Sequence, residues 1–164
     1  MLLGRPPRAG GLLVLASLVA LTGCSSYRSP RITLGSVSVT EVTNEALAIQ
    51  IDLELQNPNT IALGLDELRY SITVDGTLAY VGRRAAGRTL SGLETRLLTL
   101  PGVINFKTIG WSPSSGPRQV RYSVQGALWY KTPSEIAQLL FDTGMRRPKV
   151  TFGEDGQMTL PAAD

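Results

Sequence analysis

Leu47, Ile49, Ile51, Leu53 and Leu55 alternate with Ala48, Gln50, Asp52, Glu54 and Gln56. A period of two describes a strand with one face in a core and the other in water. The pattern recurs. Leu68, Tyr70, Ile72 and Val74 alternate with Arg69, Ser71 and Thr73. Val120, Tyr122, Val124, Leu128 and Tyr130 form a third stripe, interrupted at Gly126, where a bulge or a close backbone approach is expected. Residues 32–42 read as a first strand whose apolar face switches near Gly35, and 77–90 and 93–100 as two more.

The punctuation agrees with this reading. Asp75-Gly76 between two strands signals a two-residue hairpin, because a type I′ turn needs positive φ at both central positions. Asn57-Pro58-Asn59 ends the strongest strand, since proline cannot donate to a ladder and asparagine tolerates turn geometry. Gly153-Glu154-Asp155-Gly156 predicts a final hairpin between 149–152 and 157–160. One helix is predicted over 133–143, with a capping box at Thr132-Pro133-Ser134-Glu135, apolar Ile136, Leu139 and Leu140, and a stop at Gly144. A second short helical turn is expected within 103–111. The expected fold is mainly β: a β-sandwich with Greek-key connections and one short C-terminal helix.

The amino terminus carries a different kind of signal. Arg5 and Arg8 precede the apolar run Leu12–Ala20, which has the length of a secretory h-region. Leu21-Thr22-Gly23-Cys24 follows it and resembles the bacterial lipobox. The resemblance implies lipid on Cys24, cleavage before it and N-acylation. It would account for the chain's one cysteine, which cannot form an intramolecular disulfide. Several acyl chains give lasting attachment where one gives marginal binding. The competing reading is an uncleaved anchor, since the uncharged run 9–27 approaches the roughly 20 residues a spanning helix needs. Ser25 in place of Asp points, by analogy with Gram-negative sorting, to the periplasmic face of the outer membrane. The expected organisation is a signal peptide at 1–23, a lipidated tether at 24–31 and one domain at 32–164. The seven residues from Ser25 to Arg31 reach at most about 25 Å, which keeps the domain near the membrane. Removing the signal's two arginines from sixteen basic residues leaves fourteen against thirteen acidic ones, a charge of +1. That balance gives no reason to expect nucleic acid as a partner.

Catalytic sets are sparse. The chain has no histidine, which excludes a Ser-His-Asp triad, a Cys-His pair and any His-ligated metal. No cofactor is expected. Gly82-Arg83-Arg84-Ala85-Ala86-Gly87 lacks the Lys-Ser/Thr ending of a phosphate loop and reads as an exposed bent strand. Asp52 and Glu54 share a strand face about 7 Å apart, which fits a solvated surface better than an acid–base pair. Arg83, Arg84, Arg88 and Arg96 form the densest basic cluster, either a phosphate contact or a solvated edge that discourages strand addition. Trp111, Trp129 and Tyr130 read as packing residues.

The run Ile49–Asn59, with Ile61-Ala62-Leu63 and the strand Leu68–Val74 ending at Asp75-Gly76, resembles the late embryogenesis abundant type 2 domain, also called the water stress and hypersensitive response (WHy) domain. A strand carrying glycine near the end, Tyr122–Leu128, fits the same pattern, and the resemblance covers about residues 31–130. It implies a folded, non-enzymatic immunoglobulin- or fibronectin-III-like β-sandwich with no catalytic residues to carry over, and a structural role for Asn57, Pro58 and Asn59. A hydrophobic content of 43% suits a folded member. The expected function is a membrane-anchored envelope lipoprotein, protective in desiccation or osmotic stress. Its expected partner is membrane lipid through acylated Cys24. The alternatives are a module binding lipid or another hydrophobe, and an accessory subunit docking on an envelope protein.

Overall fold

A computed structural model describes residues 27–87, 89–132, 135–145 and 147–161. The signal segment, Cys24, Arg88, Pro133 and Ser134 lie outside the described residues. The strands are β1 (Arg31–Val42), β2 (Ala46–Gln56), β3 (Leu63–Val74), β4 (Thr77–Ala85), β5 (Thr89–Leu90), β6 (Thr95–Asn105), β7 (Arg118–Lys131) and β8 (Lys149–Leu160). The helix α1 (Glu135–Asp142) links β7 to β8, and a 3-10 turn occupies Pro113–Ser115. Two antiparallel sheets form. One runs β1-β2-β6; the other runs β4-β3-β7-β8, with the short β5 also on β3. This is the β-sandwich expected from the strand pattern, in the fibronectin-III-like form that the resemblance implies.

The alternating residues form the core. Leu47, Ile51, Leu53 and Leu55 from β2 face Leu68, Ile72, Val124 and Leu128 from β3 and β7, all essentially inaccessible to solvent. The apolar face of β1 does switch at Gly35, because a register shift against β2 falls between Leu34 and Ser36. A bulge at Asp66-Glu67 likewise lets Leu65 and Leu68 both point inward. Asp75 and Gly76 have φ of 47° and 81°, the hairpin geometry the dipeptide predicts.

Glycine serves packing in the sheets. Gly82, Gly126 and Gly156 lie directly opposite Tyr70, Phe152 and Tyr122 across the ladders. A Cβ at Gly126 would come within 2.3 Å of the Phe152 ring and 2.7 Å of the Arg69 carbonyl oxygen. The break at Gly126 is thus a close approach and not a bulge; its pairing with β7's neighbours runs on without a shift.

Two expectations are corrected. Residues 153–156 make no hairpin. They continue β8, paired one for one with Tyr122–Gln125 of β7, and neither glycine has positive φ. β7 offers a continuous ladder from Arg118 to Trp129, so the edge strand gains backbone hydrogen bonds that a turn would forgo. Residues 103–111 hold no helix: Val103–Asn105 finish β6 and 106–110 form turns. There β6 pairs with the start of β2 through Ala46, Leu47 and Ala48, and that ladder outcompetes a local coil.

The edges of the two sheets approach each other. β1 lies against β8 and β4 against β6. Arg84 Nη1 donates to the Thr99 carbonyl across the second seam, 2.6 Å away.

Candidate functional site

β2 ends, β3 begins, β6 begins and β7 ends at one end of the sandwich, and the chain enters the domain there. Asn57 follows the last ladder residue of β2 and is fully buried, the one buried polar side chain among the described residues. A buried amide needs partners for both its donors and its acceptor. Its Nδ2 donates to the carbonyls of Ile61 (2.8 Å), Ser91 (2.9 Å) and Leu90 (3.3 Å). Its Oδ1 accepts from the Asn59 backbone N–H and from Asn59 Nδ2, at 3.0 and 2.9 Å. Its own backbone N–H donates to the Glu94 carbonyl. One side chain thereby joins the loop 57–62 to the loop 90–94. Pro58, between the two asparagines, ends the ladder as its sequence position requires.

Asn59 extends the network to the incoming chain. Arg28 N–H donates to Asn59 Oδ1, and Asn59 Nδ2 donates to the Arg28 carbonyl at 2.7 Å. Pro30 is buried, and Tyr27 stacks on Tyr130 with ring centroids 6.2 Å apart. Tyr130 donates to Ser29 Oγ. Residues 27–30, which the sequence suggests only as a polar tether, are therefore seated on the domain. Burial, with Tyr130 alongside, pushes the Tyr27 phenol well above its ordinary range, and its hydroxyl has no partner among the described residues.

The facing loop is pinned separately. Glu94 accepts from the Ser91 N–H and pairs with Arg96 at 2.6 Å, and these contacts hold its carboxyl below the usual carboxylate range. Gly92 sits so close to the 59–61 loop that a Cβ would fall 2.0 Å from the Thr60 carbonyl oxygen. Leu93 follows at φ 58° and donates its N–H to the Asn59 carbonyl. Sequence reasoning missed this loop. Ser91-Gly92 is an ordinary turn dipeptide, and nothing local indicates which segment it closes on.

Asp52 lies on the outer face of the β1-β2-β6 sheet. Hydrogen bonds from Thr99 and Ser36, then Gln50, lower its pKa. Arg83 pairs with Glu67 at 2.7 Å, Arg96 with Glu94, and Arg84 serves the seam. Arg84 and Arg96 also line one pocket of about 370 Å³ between β4 and β6, with Gly87 and Leu98; Arg88 lies outside the described residues. Trp111 and Tyr130 are core residues, while Trp129 lies on the outer face with Arg69 over its ring. A shallow trough of about 690 Å³ crosses that outer face over Ser71, Ser123, Ala127 and Gly153. Its lining mixes these small residues with Arg69, Gln125 and Glu154.

With this geometry in view, comparison with known proteins is informative at the level of fold. No family model matches the chain, and no curated protein matches it. Solved structures do. The fold is that of a putative late embryogenesis abundant (LEA) protein. The superposition with that solution structure has a TM-score of 0.63 at 16% identity, covering 82% of this chain and 72% of the other. An Arabidopsis thaliana protein solved in solution is similar at a TM-score of 0.59 and 13% identity, over 81% and 83% of the two chains. A crystallised Archaeoglobus fulgidus protein gives 0.52 and 13%, over 80% of this chain and all of that one.

Proposed function

We propose that the chain is a non-enzymatic, lipid-anchored envelope protein of the LEA type 2 family, held by acylated Cys24 and protective under desiccation or osmotic stress. The observation that carries this reading is the Asn57 network. The Asn-Pro-Asn motif that resembles the family in sequence supplies the one buried polar side chain described, in a fold shared with a LEA protein. The lipobox pattern at Leu21, Thr22, Gly23 and Cys24 supplies the anchor, and Ser25 in place of Asp points to the periplasmic face of the outer membrane. The rival role of carrying a hydrophobe would require space between the sheets, where Leu47, Ile51, Leu68, Ile72 and Leu128 leave no exposed surface. A docking partner in the envelope remains compatible with the same anchor, and crosslinked pull-down distinguishes it from a free-standing protectant.

The test has two parts. Cys24→Ala should abolish palmitate-alkyne labelling and move the protein out of the membrane fraction. Deleting the gene should lower survival after drying or osmotic shock. Unchanged survival under both stresses would remove the protective role, and persistent labelling of Cys24→Ala would remove the anchor.

A further inference from the structure

The tether end of the sandwich has a second property. Ile61 and Leu93 are 49% and 66% exposed, on loops joined to each other through Gly92 and Asn59. Leu93 keeps positive φ, a region where a bulky side chain is uncommon, and its side chain is left outside the core. Arg28, whose backbone is bonded to Asn59, and Arg31, paired with Gln56 at the end of β2, lie at the same end, both exposed and without an ion pair among the described residues. We infer that this end is a membrane-docking face: Ile61 and Leu93 enter the lipid interface beside the anchor while Arg28 and Arg31 meet lipid phosphates.

The inference rests on the lipid anchor proposed above, and chain length decides it. Three chain steps separate Cys24 from Tyr27, a reach of roughly 11 Å fully extended. The polar layer of one leaflet is itself about 5–8 Å deep. Tyr27 is stacked on Tyr130, and Arg28 is tied to Asn59, so the domain cannot swing away on residues 27–30. An acylated Cys24 therefore brings the 59–61 and 91–93 loops to the head groups. Apolar side chains flanked by arginines suit that boundary, where aliphatic burial and attraction to anionic lipid act together.

Cysteine labelling tests this on the full chain. Lipidated Cys24 has no free thiol, so an environment-sensitive NBD label placed through Ile61→Cys or Leu93→Cys is site-specific. Glu45→Cys, at the opposite end between β1 and β2, is the control. In phosphatidylethanolamine/phosphatidylglycerol vesicles, labels at 61 and 93 should shift to the blue, brighten and be quenched by brominated lipid, with no response at 45. Charge reversal, Arg28→Glu with Arg31→Glu, should reduce the response at 93. Unchanged spectra at both 61 and 93, or an equal response at 45, would overturn the docking face while leaving the anchor intact. Efficient labelling of the unsubstituted chain would expose a free Cys24 thiol, and the anchor and this inference would fall together.

Discussion

Asn57 occupies a position that few other side chains could fill. It must present two donors toward carbonyls of two different loops and one acceptor toward Asn59, all in a site closed to water. Leucine would leave those carbonyls unpaired, and aspartate would set a carboxylate against them. Removing a buried partner costs about 1–3 kcal/mol for each group stranded. Asn57→Ala should therefore lower stability by on the order of 3 kcal/mol, read as a lower urea midpoint at unchanged slope. Asn57→Asp should be no better than Ala, because the fault lies in lost donors and not in lost volume. A midpoint within 0.5 M of the unsubstituted chain's, an order-of-magnitude threshold, would mean the network is dispensable.

At the scale of elements, β8 is the informative case. Its Gly153-Glu154-Asp155-Gly156 run has the composition of a turn and the structure of a strand. The two readings differ in what Gly153 tolerates. A turn glycine at positive φ resists a side chain, whereas Gly153 has extended backbone with its nearest neighbour 3.6 Å from a built Cβ. Gly153→Val should be neutral or stabilising by up to about 1 kcal/mol, since glycine within a strand costs entropy. Gly126→Ala should instead destabilise by about 1–3 kcal/mol, because the Arg69 carbonyl oxygen and the Phe152 ring both occupy the space. Thermal unfolding of the pair decides between them. The contrast also indicates which elements can be read locally. β2, β3 and β7 declare themselves because each has one wet and one dry face. β8 is an edge strand with a mostly exposed pattern, and only β7 beside it determines that 153–156 stays extended.

For the whole molecule, acid sensitivity follows from carboxylates distributed over both sheets. Glu67 is held below the usual range first by Arg69 and also by Arg83, Glu94 by the Ser91 N–H and Arg96, and Asp52 by Thr99 and Ser36. Each binds its proton less readily folded than unfolded. Their contribution is therefore complete above the ordinary carboxylate range, near pH 4, and is lost as pH falls through the lower folded values. Urea midpoints should stay level from pH 7 to about 5 and then decline, with a shallower decline in Glu94→Gln. A decline of equal slope in that variant would show that the 91–94 loop takes no part.

The sequence by itself determined the class of fold, the strands of the core, the Asp75-Gly76 hairpin, the helix between the last two strands and the lack of histidine chemistry. These depend on periodicity and turn stereochemistry, which act over a few residues. It also marked Asn57-Pro58-Asn59, as the end of a strand and, through the family resemblance, as a structural motif. Tertiary structure decided what that motif does. The carbonyls that Asn57 satisfies at Leu90 and Ser91 lie more than thirty residues away, and no local pattern specifies a partner that distant. The same holds for residues 27–30, a polar tether by composition, which the structure seats against Asn59 and Tyr130. Burial and hydrogen-bond satisfaction are properties of what surrounds a residue, and at this end of the sandwich the surroundings come from four separate stretches of chain.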